Sequence, residues 1–160
     1  MTWRLPPGKG VVKEDQMKRL LDRLFGVAQE IDGLEGCQLY RWMVLQWGDH
    51  VTVYLNHFVD SDGNPDLHDH PRRLISIGLW GWYLEQTPER TQRYSAPWIR
   101  TFPATHIHRI FVPSKNCWTL IIVFKTVREW GFWHLGQFIP WHSYSGGADA
   151  DLANKRKACK

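Results

Sequence analysis

The sequence predicts an all-β fold, a barrel or sandwich of short strands preceded by a single α-helix. Three observations predict it. Apolar residues keep helical spacing in one early stretch only, the period falls to two from Cys37 onward, and the strand-like runs beyond are separated by turn formers. About eight or nine such runs with one helix make a β-barrel or sandwich rather than an α/β fold. No internal repeat or linker divides the 160 residues, so positions 1–160 read as one domain.

Taken in order, residues 1–12 carry paired prolines and two glycines and read as an arm. The helix is expected over 13–32. Met17, Leu20, Leu21, Leu24, Phe25, Ala28 and Ile31 form one stripe, with Lys18, Arg19, Asp22 and Arg23 outside it and Gly33 and Gly36 closing it. That stripe should lie on a sheet. The barrel is expected over 37–142. Leu39, Met43, Leu45 and Trp47 alternate there with Gln38, Tyr40, Trp42 and Val44, and Val51–Leu55 is the next strand. Asp60 to Asp66 is a loop of turn formers. Further strands are expected at Leu74–Trp80, Trp82–Glu85, Trp98–Phe102, His106–Val112, Trp118–Phe124, Glu129–His134 and Phe138–His142. Gln86–Ala96 is polar and reads as a loop, and 143–160 as a polar, basic tail.

Composition removes several function classes. At 43% hydrophobic and 22% charged, the chain is too apolar to be disordered. No apolar run approaches the ~18 residues of a membrane span, and the first residues lack the apolar core of a secretory signal. The net charge of +4 comes entirely from Lys155, Arg156, Lys157 and Lys160; residues 1–154 are balanced. A nucleic-acid groove needs aromatics interleaved with a basic track, so no nucleic-acid partner is expected. Cys37, Cys117 and Cys159 are widely spaced with no CxxC, which reads as reduced thiols in a cytoplasmic setting. The ten tryptophans read mainly as sheet packing.

The histidines carry the chemical signal. His68 and His70 flank Asp69, and His106 and His108 repeat the spacing before another strand. In extended backbone, residues two apart share a face, so each pair projects together. Neutral imidazole ligates iron, zinc, nickel or copper. His68, His70 and His108, with His106 as a possible extra, are therefore the candidate metal ligands. His50, His57, His134 and His142 stand singly and read as structural. Tyr83 and Arg100 are candidate substrate-binding residues, although either Trp98, Arg100 and Phe102 or Ile99 and Thr101 could face inward. Arg109, next to His108, should point outward and pair with an acid.

These residues resemble the cupin superfamily. His68-Asp69-His70 stands where its first motif has HxH, with Gly81 near the closing glycine. Pro103-Ala104-Thr105-His106-Ile107-His108 stands for the second motif, Thr105 replacing the usual glycine. Asp66–Pro71, Gly81–Glu85, His108-Arg109-Ile110, Trp118-Thr119-Leu120 and Glu129–Trp133 are further similar to a small cupin-like family of bacteria and their phages. The resemblance implies a double-stranded β-helix (jelly-roll) barrel. The first-motif glutamate is missing, and Glu85 lies too far along to replace it by spacing.

The resemblance then implies a divalent metal on three histidines, with Fe(II) preferred over Zn, Ni or Mn, as in cupin dioxygenases that act on small molecules. The expected partner is a small-molecule ligand or substrate, in the cytoplasm of a bacterial cell or phage-infected host. A homodimer is possible, since cupins often pair through sheet edges. Two alternatives stay open. One is a non-catalytic barrel that binds or sequesters a nucleotide, sugar or signalling molecule. The other is a metal-independent sugar isomerase or epimerase, using His68 with a nearby aspartate.

Overall fold

The computed structural model describes residues 14–32 and 37–144. The expected arm, Gly33, Gly36, Cys159 and the tail from 145 onward lie outside the described residues. The described chain is one α-helix, twelve strands and a short 3-10 turn. Helix α1 covers Glu14–Phe25, and the strands begin with β1 (Gln29–Asp32), β2 (Cys37–Trp47), β3 (Val51–Phe58), β4 (Leu67–His68) and β5 (Arg72–Trp80). They continue with β6 (Trp82–Gln86), β7 (Thr91–Ser95), β8 (Trp98–Phe102) and β9 (Arg109–Phe111). β10 (Cys117–Thr126), β11 (Gly131–His134) and β12 (Gln137–Pro140) complete the series, and the 3-10 turn spans Trp141–Ser143.

The helix is shorter than its apolar spacing predicts. It stops at Gly26, whose φ of +85° is a left-handed conformation that glycine adopts freely. Ala28 and Ile31 fit the helical spacing but belong to an extended segment ending in β1. The Asp22 carboxylate fixes that exit, accepting the Ala28 N–H at 3.1 Å and the Trp42 indole N–H at 2.8 Å. Leu21, Ala28 and Trp42 are buried together, whereas Leu20 and Leu24 stay exposed. Only one edge of the predicted stripe therefore packs.

A six-stranded antiparallel sheet runs β1-β2-β3-β10-β5-β8, and the smaller sheets β7-β6-β9 and β12-β11-β4 complete the barrel. One face of the large sheet supports α1 through Tyr40, Trp42, Leu55 and Trp118. His57 lies in this layer, its ring stacked on Trp118 at 4.0 Å. The other face lines the interior. The register sets Arg41, Asn56, Thr119, Gly78 and Trp98 in one row across five strands. Gly78 is needed there because a Cβ would sit 2.2 Å from the Trp98 ring. Leu39, Phe58, Tyr83, Val112 and Cys117 form the core at one end of the barrel.

Other departures have local causes. β2 carries an irregularity between Met43 and Leu45, so Leu45 and Trp47 leave the parity of Leu39 and are exposed. Gln86–Ala96 is not wholly a loop, because it contains β7. That edge strand alternates exposed and half-buried residues, which is why its composition is polar. Strand His106–Val112 contracts to β9, and Phe138–His142 to β12 plus the 3-10 turn. Cys117 is a buried thiol pushed up to about 12 by desolvation. Among the described residues no helix is long and apolar enough to cross a membrane.

Candidate metal centre and cavity

Two backbone contacts bring the histidine pairs together. His68 and His108 exchange N–H···O bonds of 2.8 and 2.9 Å, and the His70 N–H donates to the Ala104 carbonyl at 3.2 Å. Period-two geometry sends Asp69 the opposite way, as expected. Its fully buried carboxylate accepts the Gly131 N–H at 2.9 Å, the Trp133 indole N–H at 3.2 Å and the Arg128 guanidinium. Asp69 thus locks the first histidine pair to the chain at β11.

His68, His70 and His108 converge, each offering a ring nitrogen within 4.8 Å of the others. The Nε2 atoms of His70 and His108 are 2.8 Å apart. Metal–nitrogen bonds of about 2.1 Å put neighbouring ligands roughly 3.0–3.4 Å apart. Opening the His70–His108 pair by a few tenths of an ångström and closing His68 would complete the set. The donors suit a borderline metal, and the three residues fit one. His106 does not join them. It lies across the His108 ring, where Glu85, His106 and His108 make a second convergent group.

Glu85 decides between the two sides of His108. It is 2% exposed, and its Oε1 accepts His108 Nδ1 at 2.7 Å and His106 Nε2 at 3.0 Å. Its Oε2 accepts Arg100 at 2.6 Å. Burial would raise this carboxyl, but hydrogen bonds from His106, His108 and Arg100 together hold it well below the usual carboxylate range. Ionised Glu85 therefore keeps the His108 proton on Nδ1 and leaves the Nε2 lone pair facing His70 and His68. Burial lowers His68 to about 4 despite the opposing charge of Asp62. Burial, reinforced by His108 and His68, lowers His70 well below its ordinary value. Neutral imidazoles are the ligating form.

The three histidines open onto a cavity of about 530 Å³ with largely apolar walls, including Leu39, Phe58, Ile110, Ile121 and Phe132. Tyr83 lines it, and burial pushes its phenol well above the ordinary range. The inward set of β8 proves to be Trp98, Arg100 and Phe102. Arg100 nevertheless lies behind Glu85 rather than in the cavity wall. It donates to Glu85 and to the Tyr83 hydroxyl (2.8 Å) and stacks on Tyr94. Arg109 was expected to pair with an acid; it donates instead to the Pro65 carbonyl at 2.8 Å and lies over Phe111. Of the single histidines, His57, His134 and His142 have structural partners in Asn116, Asp66 and Glu129.

Sequence reasoning missed three contributors. Glu85 reaches His108 across paired strands, since Glu85 opposes Ile110 in the β6–β9 register. Asp62 comes from the turn-rich loop; it accepts the Ile110 N–H at 2.6 Å and stands 3.8 Å from His68 Nδ1. Arg41 lines the cavity two residues after the inward-facing Leu39, and that parity is the signal that could have found it.

The barrel has the cupin-type jelly-roll fold that the sequence resemblance implied. Three solved structures illustrate the likeness. The polyketide cyclase RemF from Streptomyces resistomycificus superposes with a TM-score of 0.56 at 14% identity, over 72% of this chain and 84% of its own. Pac13 from Streptomyces, described as a unique nucleoside dehydratase, gives 0.51 at 9% identity over 72% and 89%. KdgF from Halomonas sp. gives 0.51 at 12% identity over 62% and 88%. At these identities the likeness concerns the fold alone. No family model and no curated protein matches the sequence.

Proposed function

We propose that this cupin is a metal-dependent enzyme acting on a small organic molecule. His68, His70 and His108 hold one divalent ion, Fe(II) ahead of Zn, Ni or Mn, and the reaction is a dioxygenation. One observation carries the reading: three imidazoles converge on a cavity while Glu85 fixes the back of His108 in the ligating tautomer. The ion would supply Lewis acidity and, as Fe(II), reducing power toward oxygen. The protein's own part is to present neutral donors, orient His108 through Glu85, and exclude water with apolar walls. Tyr83 places one hydroxyl at the wall, held by Arg100.

Elemental analysis of the protein reconstituted with Fe(II) tests the site. Stoichiometric metal should be lost in His70→Ala and His108→Ala but kept in His106→Ala. Loss in His106→Ala with retention in His70→Ala would move the ion to the Glu85 side and sink the assignment. Oxygen uptake with candidate substrates then tests the reaction.

A second reading has its own observation. His68 stands beside Asp62, and Glu85 backs His108, so acid–base groups are assembled without a metal. Such groups suit an isomerase or epimerase. Turnover that survives chelation would favour it over the metal enzyme.

A further inference from the structure

Arg41 is the only cation in the cavity wall apart from the histidines, among the described residues, and it lacks a counter-ion there. Its Nε donates to Asn56 Oδ1 at 3.0 Å, and its guanidinium lies 5.0 Å from the Tyr54 ring centroid. The two terminal nitrogens have no hydrogen bond or ion pair with any described residue. The one carboxylate in the wall among the described residues, Asp62, is engaged by Gln38 and by the Ile110 N–H. A guanidinium in this state keeps the four N–H donors of its two terminal nitrogens and has no carboxylate paired with them.

A second observation points to the same place. Thr119 is 1% exposed and lines the cavity, yet its Oγ1 has no hydrogen-bond partner. Buried hydroxyls are seldom left unsatisfied, because the loss costs about 1–3 kcal/mol. Thr119 opposes Asn56, and Asn56 opposes Arg41, so the three form a polar row across β10, β3 and β2. Asn56 holds the guanidinium by Nε, which orients the free edge, and the Thr119 hydroxyl stands on the same row. Elsewhere the wall combines apolar side chains such as Leu39, Phe58, Ile121 and Phe132 with the three histidines, Ser76, Asp62 and Tyr83.

We infer that Arg41, Asn56 and Thr119 form an anion subsite that takes the carboxylate of a small organic acid whose apolar body fills the rest of the cavity. A planar carboxylate matches the two-donor edge of a guanidinium. The hydroxyl of Thr119 supplies a further donor to it. The cavity volume suits one ligand of this class. The inference rests on the functional reading above only in taking the ligand as a substrate; the subsite itself needs no metal.

The test uses benzoate, its uncharged isostere benzamide, and inorganic phosphate, titrated calorimetrically into the full-length protein with and without metal. Benzoate should bind the metal-free protein and benzamide should bind at least about tenfold more weakly. Arg41→Met should lose at least about tenfold in benzoate affinity, Arg41→Lys less, and Thr119→Val a few-fold, each keeping wild-type metal content. Absence of benzoate binding to wild type at millimolar concentration overturns the inference, as does equal binding by Arg41→Met. Preference for phosphate over benzoate overturns the carboxylate assignment. Were Arg41→Met to misfold, Arg41→Lys and Thr119→Val carry the comparison. Benzoate binding with Arg41 dependence but no metal uptake would uphold the subsite and refute the metal reading; metal uptake with no Arg41 dependence would do the reverse.

Discussion

Replacing Glu85 by glutamine changes one atom and tests how the protein chooses the ligating face of His108. Glu85 accepts from three donors, His108 and His106 on one oxygen and Arg100 on the other. A glutamine has a single acceptor oxygen and a donating amide nitrogen. With its oxygen kept toward the histidines, the amide faces the Arg100 guanidinium, donor against donor. With the amide flipped, His108 Nδ1 must become the acceptor, and its proton moves to Nε2, where the metal should bind. Either outcome loses the negative charge that would make His108 a stronger ligand to a bound ion. Partners of this kind are worth roughly 10–100-fold in metal affinity, or about 1.4–2.7 kcal/mol. Competition between the protein and a chromogenic chelator for Zn(II) measures the ratio, and urea unfolding of the metal-free protein monitors the fold separately. An affinity unchanged within threefold, with His108→Ala still abolishing binding, would refute the proposed role of Glu85.

Two further perturbations probe the frame around the site. His57 is 3% exposed against Trp118, and burial lowers it from 6.5 to about 4, so its neutral form is the stable one in the fold. Its folded value lies below its unfolded one, so this stability is present above pH 6.5 and is lost as pH falls toward 4, by about 3 kcal/mol. In His57→Phe, which keeps an aromatic ring on Trp118, denaturant unfolding should weaken less steeply between pH 7 and 4; parallel curves for the two proteins would exclude His57 as a source of acid sensitivity. Asp69→Ala removes a fully buried carboxylate from Arg128, Gly131 and Trp133. It should cost about 3 kcal/mol, toward the low end for a broken buried pair because Arg128 can rehydrate. A loss under about 1 kcal/mol in equilibrium unfolding would show that the first histidine pair is held by its backbone alone.

How much of this was legible depended on how local each rule is. The histidine pairs were readable because the alternation of side chains along extended backbone is set within three residues. His68 and His70 share a face with Asp69 opposed, whatever the rest of the chain does. The same rule failed in β2, where one irregularity after Met43 reverses the parity and turns Leu45 and Trp47 outward. The helix failed for a related reason. Ala28 and Ile31 satisfy helical spacing, but Gly26 had already left the helix, and no count of apolar positions registers that. Glu85 was invisible in principle, since its partner lies 23 residues away and is reached only through the β6–β9 register. A spacing argument sought the missing motif carboxylate next to His70, whereas this chain supplies one from a neighbouring strand, behind His108.

That displacement alters the electrostatics of the whole cavity. A carboxylate in the ligand set would cancel part of the charge of a divalent ion. Glu85 instead spends its charge on Arg100 and two histidines, outside the cavity wall. Asp62, the only acid in the wall among the described residues, is held by Gln38 and the Ile110 N–H. An ion on three neutral imidazoles, with the Arg41 guanidinium nearby, would make the interior strongly positive, and apolar walls would do little to screen it. Such a cavity selects for an anionic guest more sharply than any feature of its shape. The chain's net charge of +4 resides in the last six residues and says nothing of this. On the proposed reading, one guanidinium in β2, silent in any sum over the sequence, would set the sign of what the barrel can hold.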